Sequence, residues 1–567
     1  MILRIHCTRA RLFAVLIALS LATLCAEAAH ARAAEPAAAA IPELAWEQRS
    51  DWINVKTMVE PAAKGDGVQD DTAAIQAALD KIQDSATIYF PPGTYRITRT
   101  LQIPLGRFLG VSLLGHGRTT TLAWDGAAGG RMFWTQDGMP YSRYVGLTWD
   151  GRGKAAVGVD HSCLKIFETE VRHQHEAFVN CTEAGVRIGH EQKVATAETH
   201  FQNCLFEHCG HGASLRNFND LDLTFEGCEF RFCGTGVYSG KGTNCYVRNS
   251  HFEQNSEFDI VSKGEQGSSV RRCTSHGSKQ FLTLSSSVGP LVIQDCQIDA
   301  CTHADGAVVL GGAPVLLFDC GFTHSPSAAA PVQITNPQQR LVTSGNVAPI
   351  DTPLVKKLDS AVVIEVPAGA LGGSVKSAQR SFLNSKVSIP GKVFDAKRDF
   401  GAKGDGGTDD TAAIQKTLAA ARAHGKGAIA YLPGGKFAVS ETLVLEGSDY
   451  YFGGSGYRTA LVWKGKPGGT TIEVRNPDRI TLENLAVGHH DTGVGENAVD
   501  IQQNGSGQAS SILYDRVWTW GMYQNKPLER GIRFANLGKQ DRVVFREFNG
   551  NIHFTDCAQA TVLLGLS

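Results

Sequence analysis

At 567 residues, with 42% apolar content, the chain can bury a large core or more than one. A formal charge of −2 leaves no electrostatic footprint for nucleic acid, and no basic run suggests a membrane surface. Sixty-two glycines against five methionines suit short strands joined by many tight turns.

Residues 1–33 read as an export signal. Arg4, Arg9 and Arg11 precede the apolar run Leu12–Cys25, and Ala29-His30-Ala31 or Ala31-Arg32-Ala33 supplies a small-x-small cleavage site. The run is short for a membrane span, so the expected location is secreted or periplasmic. An alanine-rich lead-in covers 34–50. The first expected domain, 51–348, starts with a glycine-rich turn and an acidic helix opening, GDGVQDDTAAIQ at 65–76. There Asp70 or Asp71 suits an N-cap, and Ile75, Leu79 and Ile82 give one apolar stripe. Thr87–Phe90 and Tyr95–Thr100 are expected strands on either side of the turn Pro91-Pro92-Gly93-Thr94.

Between Cys181 and Cys320 a unit of 22 to 24 residues keeps returning. Cys181, Cys204, Cys228, Ser250, Cys273, Cys296 and Cys320 share one phase. Cys209, Cys233, Asn255, Ser278, Cys301 and Ser325 lie five positions later, and Phe206, Phe230, Phe252, Ile298 and Phe322 lie two positions after the first column. So short a period excludes helical pairs and indicates a solenoid, each coil burying its apolar face against its neighbours. Nine of the twelve cysteines after the signal fall on these columns. Stacked coils set them about 4.8 Å apart, within reach of a disulfide but rarely with its dihedral, so they are expected as reduced, buried filler. Asn180, Asn203, Asn249, Asp295 and Asp319 precede the column and are expected corner residues with left-handed backbone. No Cys-x-x-Cys pair marks a metal site, and no metal or other cofactor is expected.

The opening motif restarts 339 residues later as GDGGTDDTAAIQ at 404–415, followed by Tyr431-Leu432-Pro433-Gly434-Gly435 and by Gly454-x-Gly456 with Trp463. The repeat predicts a linker at 349–392 and a second, shorter domain at 393–567. GDGVQDDTAAIQ and YFPPGTY resemble the start of rhamnogalacturonase/epimerase-type pectate-lyase-like domains, which implies a right-handed parallel β-helix. The tandem layout resembles exo-β-1,3-glucanases of glycoside hydrolase family 55. The expected fold is therefore all-β: two tandem right-handed single-stranded parallel β-helices, each opened by a short capping helix. The last residues, Asn551–Cys557 and Thr561–Leu564, read as a coil in progress without a polar cap, as in a fragment or an end covered by another surface.

Asp70-Asp71 and Asp409-Asp410 open helices and are not expected to be catalytic pairs. A β-helix groove lies over the outer face of one strand column, where Arg187, Ser214, Tyr238 and Asp259 are the expected outward positions. Glu207, His208 and His211 flank it on one side, Lys241 and Lys263 on the other, with Glu257 nearby. A hydrolase needs two carboxyl groups roughly 5 to 9.5 Å apart, for which Glu257 and Asp259 with Glu207 or Asp222 are the candidates. A lyase or epimerase needs a base and a cation facing a uronic carboxylate, and Lys241 or Lys263 with Arg187 and Tyr238 suit it. The segment Phe258–Leu284 resembles a coil of alginate-lyase-type β-helices, although Ser285 stands where that likeness implies an arginine. The candidates are thus Glu257, Asp259, Lys241 and Lys263 for catalysis, and Arg187, Tyr238, His211 and Glu207 for binding.

His173-Gln174-His175-Glu176 could align two imidazoles on one strand face, though turn chemistry explains it as well. His489-His490-Asp491 and Trp518-x-Trp520 with Tyr523 suit either a sugar-stacking wall or a domain interface. The expected partner is a polysaccharide or oligosaccharide, not nucleic acid or membrane. Glycoside hydrolysis ranks ahead of lyase or epimerase chemistry, and non-catalytic glycan binding is the rival from another class.

Overall fold

In the computed structural model the described residues are 41–567 without 190–193, 195, 241, 286–287, 325–329, 369–388, 467, 489–498, 520–530, 558–560 and 566–567. Strands up to Glu365 form three parallel sheets, here I, II and III, of 13, 11 and 11 strands. Strands from Val393 onward form two more, IV and V, of 9 and 5 strands, and share no sheet with the earlier ones. Each coil contributes one strand per sheet. Glu229–Arg231 lies in sheet II, Thr235–Ser239 in III and Cys245–Arg248 in I, and each pairs with the strand one coil later. The chain is a parallel β-solenoid, and the 22 to 24 residue period is the length of one coil.

Stacking of identical positions builds the core. Phe178, Phe206, Phe230 and Phe252 form one ladder with centroids 5.0, 4.7 and 5.0 Å apart. Tyr144, His173, Phe201 and Phe225 form a second, at 4.5, 4.6 and 4.8 Å. These spacings follow the strand repeat, and each fully buried ring stabilises the fold by about 2 to 3 kcal/mol. The cysteine columns are buried free thiols. Their sulfurs donate weakly to backbone carbonyls, as Cys228 Sγ does to Phe201 O at 3.4 Å. Asn180, Asn203, Asn249, Asp295 and Asp319 all have φ between 49° and 58°, as their corner role requires.

Helices Thr72–Leu79 and Thr411–His424 cover the first coil of each set of sheets, burying Ile75 and Leu79 in one core and Ile414 and Leu418 in the other. The aspartate pairs act structurally. Asp70 and Asp409 accept from the first helical N–H groups, of Thr72 and Thr411, both at 3.0 Å. Asp71 accepts from Lys64 and Gly65 N–H at 2.8 and 2.9 Å, which ties back the preceding glycine turn. Asp410 does the same with Lys403 and Gly404.

Asp259 does not face a groove: it is fully buried. Its strand position belongs to Gly236 in the preceding coil. A Cβ on Gly212 or Gly236 would come within 2.7 or 2.8 Å of the next ring of the phenylalanine ladder, Phe230 or Phe252. The following rung of that ladder is Ser275, which leaves room for a side chain. The Asp259 carboxylate fills it, accepting from Ser275 Oγ at 2.5 Å and Asn255 Nδ2 at 2.8 Å. Burial pushes its pKa up to about 7. Because the folded pKa lies above the unfolded value, this group's stabilisation is full in acid and is lost as pH rises from about 4 towards 7, at about 1.4 kcal/mol per pH unit. Denaturant midpoints across that window should show this slope in the wild type and lose it in Asp259→Asn; an unchanged slope would remove Asp259 as its source.

A second polar chain crosses the same core, with His173 on the strand Arg172–Gln174 of sheet I. Glu168 Oε2, His161, His173 and Glu176 Oε2 are joined in series at 2.9, 3.0 and 2.5 Å, all fully buried. Trp149 Nε1 donates to Glu176 at 2.8 Å, and Met139 N and Cys163 Sγ donate to Glu168 at 2.9 and 3.2 Å. His175, by contrast, takes a left-handed corner at φ 53°, so the two histidines of the His173–Glu176 run do not share a face.

Candidate functional site

Where the outer face of sheet I meets the outer face of sheet IV, a cleft forms between the two sets of coils. On the sheet IV side, Gly453, Glu483, Asp515 and Arg546 are register partners on successive strands. Strand alternation sends Leu482 and Tyr514 into the core, both fully buried, and turns Glu483 and Asp515 outward. The next residues along, Asn484, Arg516 and Glu547, take left-handed corners at φ 53°, 53° and 52°, so their side chains also reach the cleft. On the sheet I side, Ser112, Arg143 and Arg172 are register partners, with Gln174 two residues beyond Arg172. The segment Trp46–Trp52 closes one flank: Trp46 Nε1 donates to Gly115 O at 2.7 Å, and Tyr431 OH donates to Asp51 at 2.6 Å. Tyr457 stacks on Trp518 at 4.1 Å and meets Tyr141 edge-on at 6.2 Å.

Five arginines and three carboxylates line this cleft. Arg49 approaches Glu483 at 3.5 Å. Arg172 pairs with Glu547, and Arg546 with Asp515. Arg516 lies 3.5 Å from Asp515 and donates to Asn484 Oδ1 at 2.5 Å. Burial alone would raise Asp515, but Arg516 and Arg546 outweigh it and hold the carboxyl well below its usual range. Arg143 differs: it donates to Gln174 Oε1 at 3.0 Å, and Gln174 in turn donates to Gln202 at 2.8 Å. Burial, with Arg516 alongside, lowers Arg143 to about 9.

The outer face of sheet III gathers part of the set expected from the sequence. Trp134, Asp160, Arg187, Ser214, Tyr238 and Val261 form one register column. Arg187 and Arg131 both reach Asp160, at 2.5 and 2.7 Å, while Ser214 is buried. The His211 ring lies 5.3 Å from that of Tyr238, and Lys263 Nζ stands 5.3 Å over the same ring. Glu257 is exposed and close enough to raise the His211 pKa, although burial, the larger influence, lowers it. Two expected members are elsewhere. Glu207 belongs to sheet II, where Arg231 donates to it at 2.7 Å, because the chain turns a corner at His208 before sheet III begins. Asp259 is in the core, so no carboxylate pair forms with Glu257. Lys241, His489–Asp491, Trp520 and Tyr523 lie outside the described residues. Trp518 joins the cleft wall.

Glu483, Asp515 and Arg143 are not among the residues expected from the sequence, because the cleft exists only once two coil sets pack together. Charged dipeptides inside apolar strands, Asp515-Arg516 and Arg546-Glu547, were the available signal.

A 42-residue stretch is 55% identical to a protein of Arthroderma benhamiae described as "Probable glucan endo-1,3-beta-glucosidase", covering 7% of this chain and 5% of that protein. Similar solved structures include ORF18 of Geobacillus virus E2, at 21% identity and TM-score 0.41 over 52% of this chain and 61% of that one. An alginate lyase from Paenibacillus sp. FPU-7 aligns at 11% identity and TM-score 0.34, over 52% of this chain and 97% of that one. With both glycine-aspartate openings inside the matched stretches, residues 52–306 and 394–481, the chain belongs to the family described as rhamnogalacturonase A/epimerase, pectate lyase-like.

Proposed function

We propose that the protein is an exported glycoside hydrolase that cleaves a polysaccharide in the cleft between sheets I and IV. The observation carrying this reading is the pairing of Glu483 with Asp515 on neighbouring strands, both lining the cleft. Adjacent strands lie about 4.8 Å apart, and rotamers from that spacing reach the roughly 5 to 9.5 Å separations that glycoside hydrolysis uses. The cations divide the roles. Arg546 and Arg516 keep Asp515 ionised, which suits a base, a nucleophile or a stabiliser of oxocarbenium charge. Among the described residues Glu483 has Arg49 as its one ion-pair partner, at 3.5 Å, and is assigned as proton donor to the leaving oxygen. Trp518, stacked on Tyr457 behind it, and Tyr141 put aromatic surface on the cleft wall. The family acts on carbohydrates, and the name of the Arthroderma benhamiae relative agrees with hydrolysis.

A second reading rests on the outer face of sheet III, where Tyr238, His211 and Lys263 could remove the proton α to a uronic carboxylate and protonate the departing glycosidic oxygen in a lyase. The two separate in one assay. Wild-type protein on neutral and uronic polysaccharides should release reducing ends without the absorbance of unsaturated uronates, and appearance of that absorbance would replace hydrolysis by elimination.

A further inference from the structure

We infer that the cleft holds an anion subsite at Arg143, which takes a carboxylate or sulfate group carried on a sugar ring of the substrate. The inference rests on the cleft being the substrate site, and it adds the class of sugar. Of the five arginines there, four are matched to carboxylates: Arg49 to Glu483, Arg172 to Glu547, and Arg516 and Arg546 to Asp515. Arg143 is the fifth. Among the described residues it has no carboxylate partner; its Nη2 bonds only a neutral amide, Gln174, and its Nε is buried without a hydrogen-bond acceptor.

A guanidinium in that position is costly. Removing a cation from water is unfavourable unless a counter-charge compensates, and Arg516 alongside adds repulsion, which is why its proton is held less tightly than usual. Asp515, Glu547 and Glu483 offset part of this from a distance, but each of them is already ion-paired with another arginine. The cleft carries two positive charges in excess, five arginines against three carboxylates, in a chain whose formal charge is −2. A planar fork with unsatisfied N–H groups matches the two oxygens of a carboxylate or of a sulfate. A neutral glucan could accept hydrogen bonds from these groups but would leave the charge uncompensated.

The test is calorimetric binding to full-length protein of three probes of equal length: a homo-oligouronate, the same oligomer methyl-esterified at its carboxyls, and a neutral oligosaccharide bearing sulfate esters. The oligouronate or the sulfated oligomer is expected to bind about 10 to 100 times more tightly than the ester, the worth of one charge-assisted contact. The probe that wins identifies the anion. Arg143→Met should abolish the preference for the anionic probe over the ester, whereas Arg143→Lys, which keeps the charge without the fork, should lose part of it. The lysine variant also controls for folding, since it retains the cation. Equal binding of the free and esterified oligomers, wild-type affinity in Arg143→Met, or binding of none of the probes would each overturn the subsite. Failure of the hydrolase reading is distinct. Charge-selective binding lost in Arg143→Met, without any bond cleavage, would keep the subsite and remove hydrolysis. Cleavage of neutral glycans insensitive to Arg143→Met would do the reverse.

Discussion

Glu483→Gln is expected to lower kcat on a polysaccharide by about 10² to 10⁴ with little change in KM, a loss of roughly 3 to 5 kcal/mol of transition-state stabilisation. Glutamine preserves the shape and can still accept from Arg49, but it has no proton for the departing glycosidic oxygen. The contrast that isolates this role is the leaving group. An aryl glycoside departs as a stabilised phenolate and needs little protonation, so its turnover in Glu483→Gln should stay within about tenfold of wild type. An aryl glycoside slowed as strongly as the polysaccharide would remove Glu483 from the acid role. Asp515 is a poorer place to begin. Its neutralisation would leave Arg516 and Arg546 buried without their shared counter-charge, and the lost activity would mix with about 3 to 5 kcal/mol of lost stability.

The second large effect concerns the buried chain Glu168–His161–His173–Glu176. Three hydrogen bonds in series need three protons, and four groups sharing three protons carry one net negative charge. Its resting place is decided by the donors at either end. Burial disfavours charge on both carboxyls, but His161, Met139 N–H and the Cys163 thiol surround Glu168 and hold it below its usual range. Glu176 has only the indole N–H of Trp149 besides His173, and burial pushes it well above its usual range. Glu168 is therefore the anion, and Glu176 is a protonated donor to a neutral His173. Isosteric changes at the two ends should then differ. Glu176→Gln supplies an N–H where the acid had an O–H and should cost less than about 1 kcal/mol. Glu168→Gln sets an amide N–H against one of three existing donors and should cost about 3 to 5 kcal/mol. Denaturant midpoints of the two variants measure this directly, and equal costs, or the opposite order, would refute the assignment of the charge.

Several features could be read from the chain because they depend on neighbours one coil apart. The 22 to 24 residue period, the phenylalanine and cysteine columns, the left-handed Asn and Asp corners and the two glycine-aspartate openings all repeat in sequence, so the sequence displays them as a pattern. Arg187 and Tyr238 also share a column as expected, since register within one sheet follows from the same period. Asp259 broke the pattern. Strand alternation alone turns it outward, but its position belongs to a glycine column that points to the core, and Ser275 one coil later vacates the space it fills. That exchange couples residues 16 positions apart through packing, and no local rule expresses it.

What the sequence determined by itself was the solenoid, its period and its family, because repetition and the opening motif are properties of the chain read in order. What only the tertiary structure decided was where the chemistry lies. Arg143 and Asp515 are 372 positions apart and on different sheets. They line one site only because the outer faces of sheets I and IV pack together, with Trp46–Trp52 bridging both. Outward positions on a β-helix look alike in sequence, since each is simply a polar residue between apolar ones. Burial against a second surface singles out a few of them, and there an unpaired charge becomes costly enough to imply a ligand.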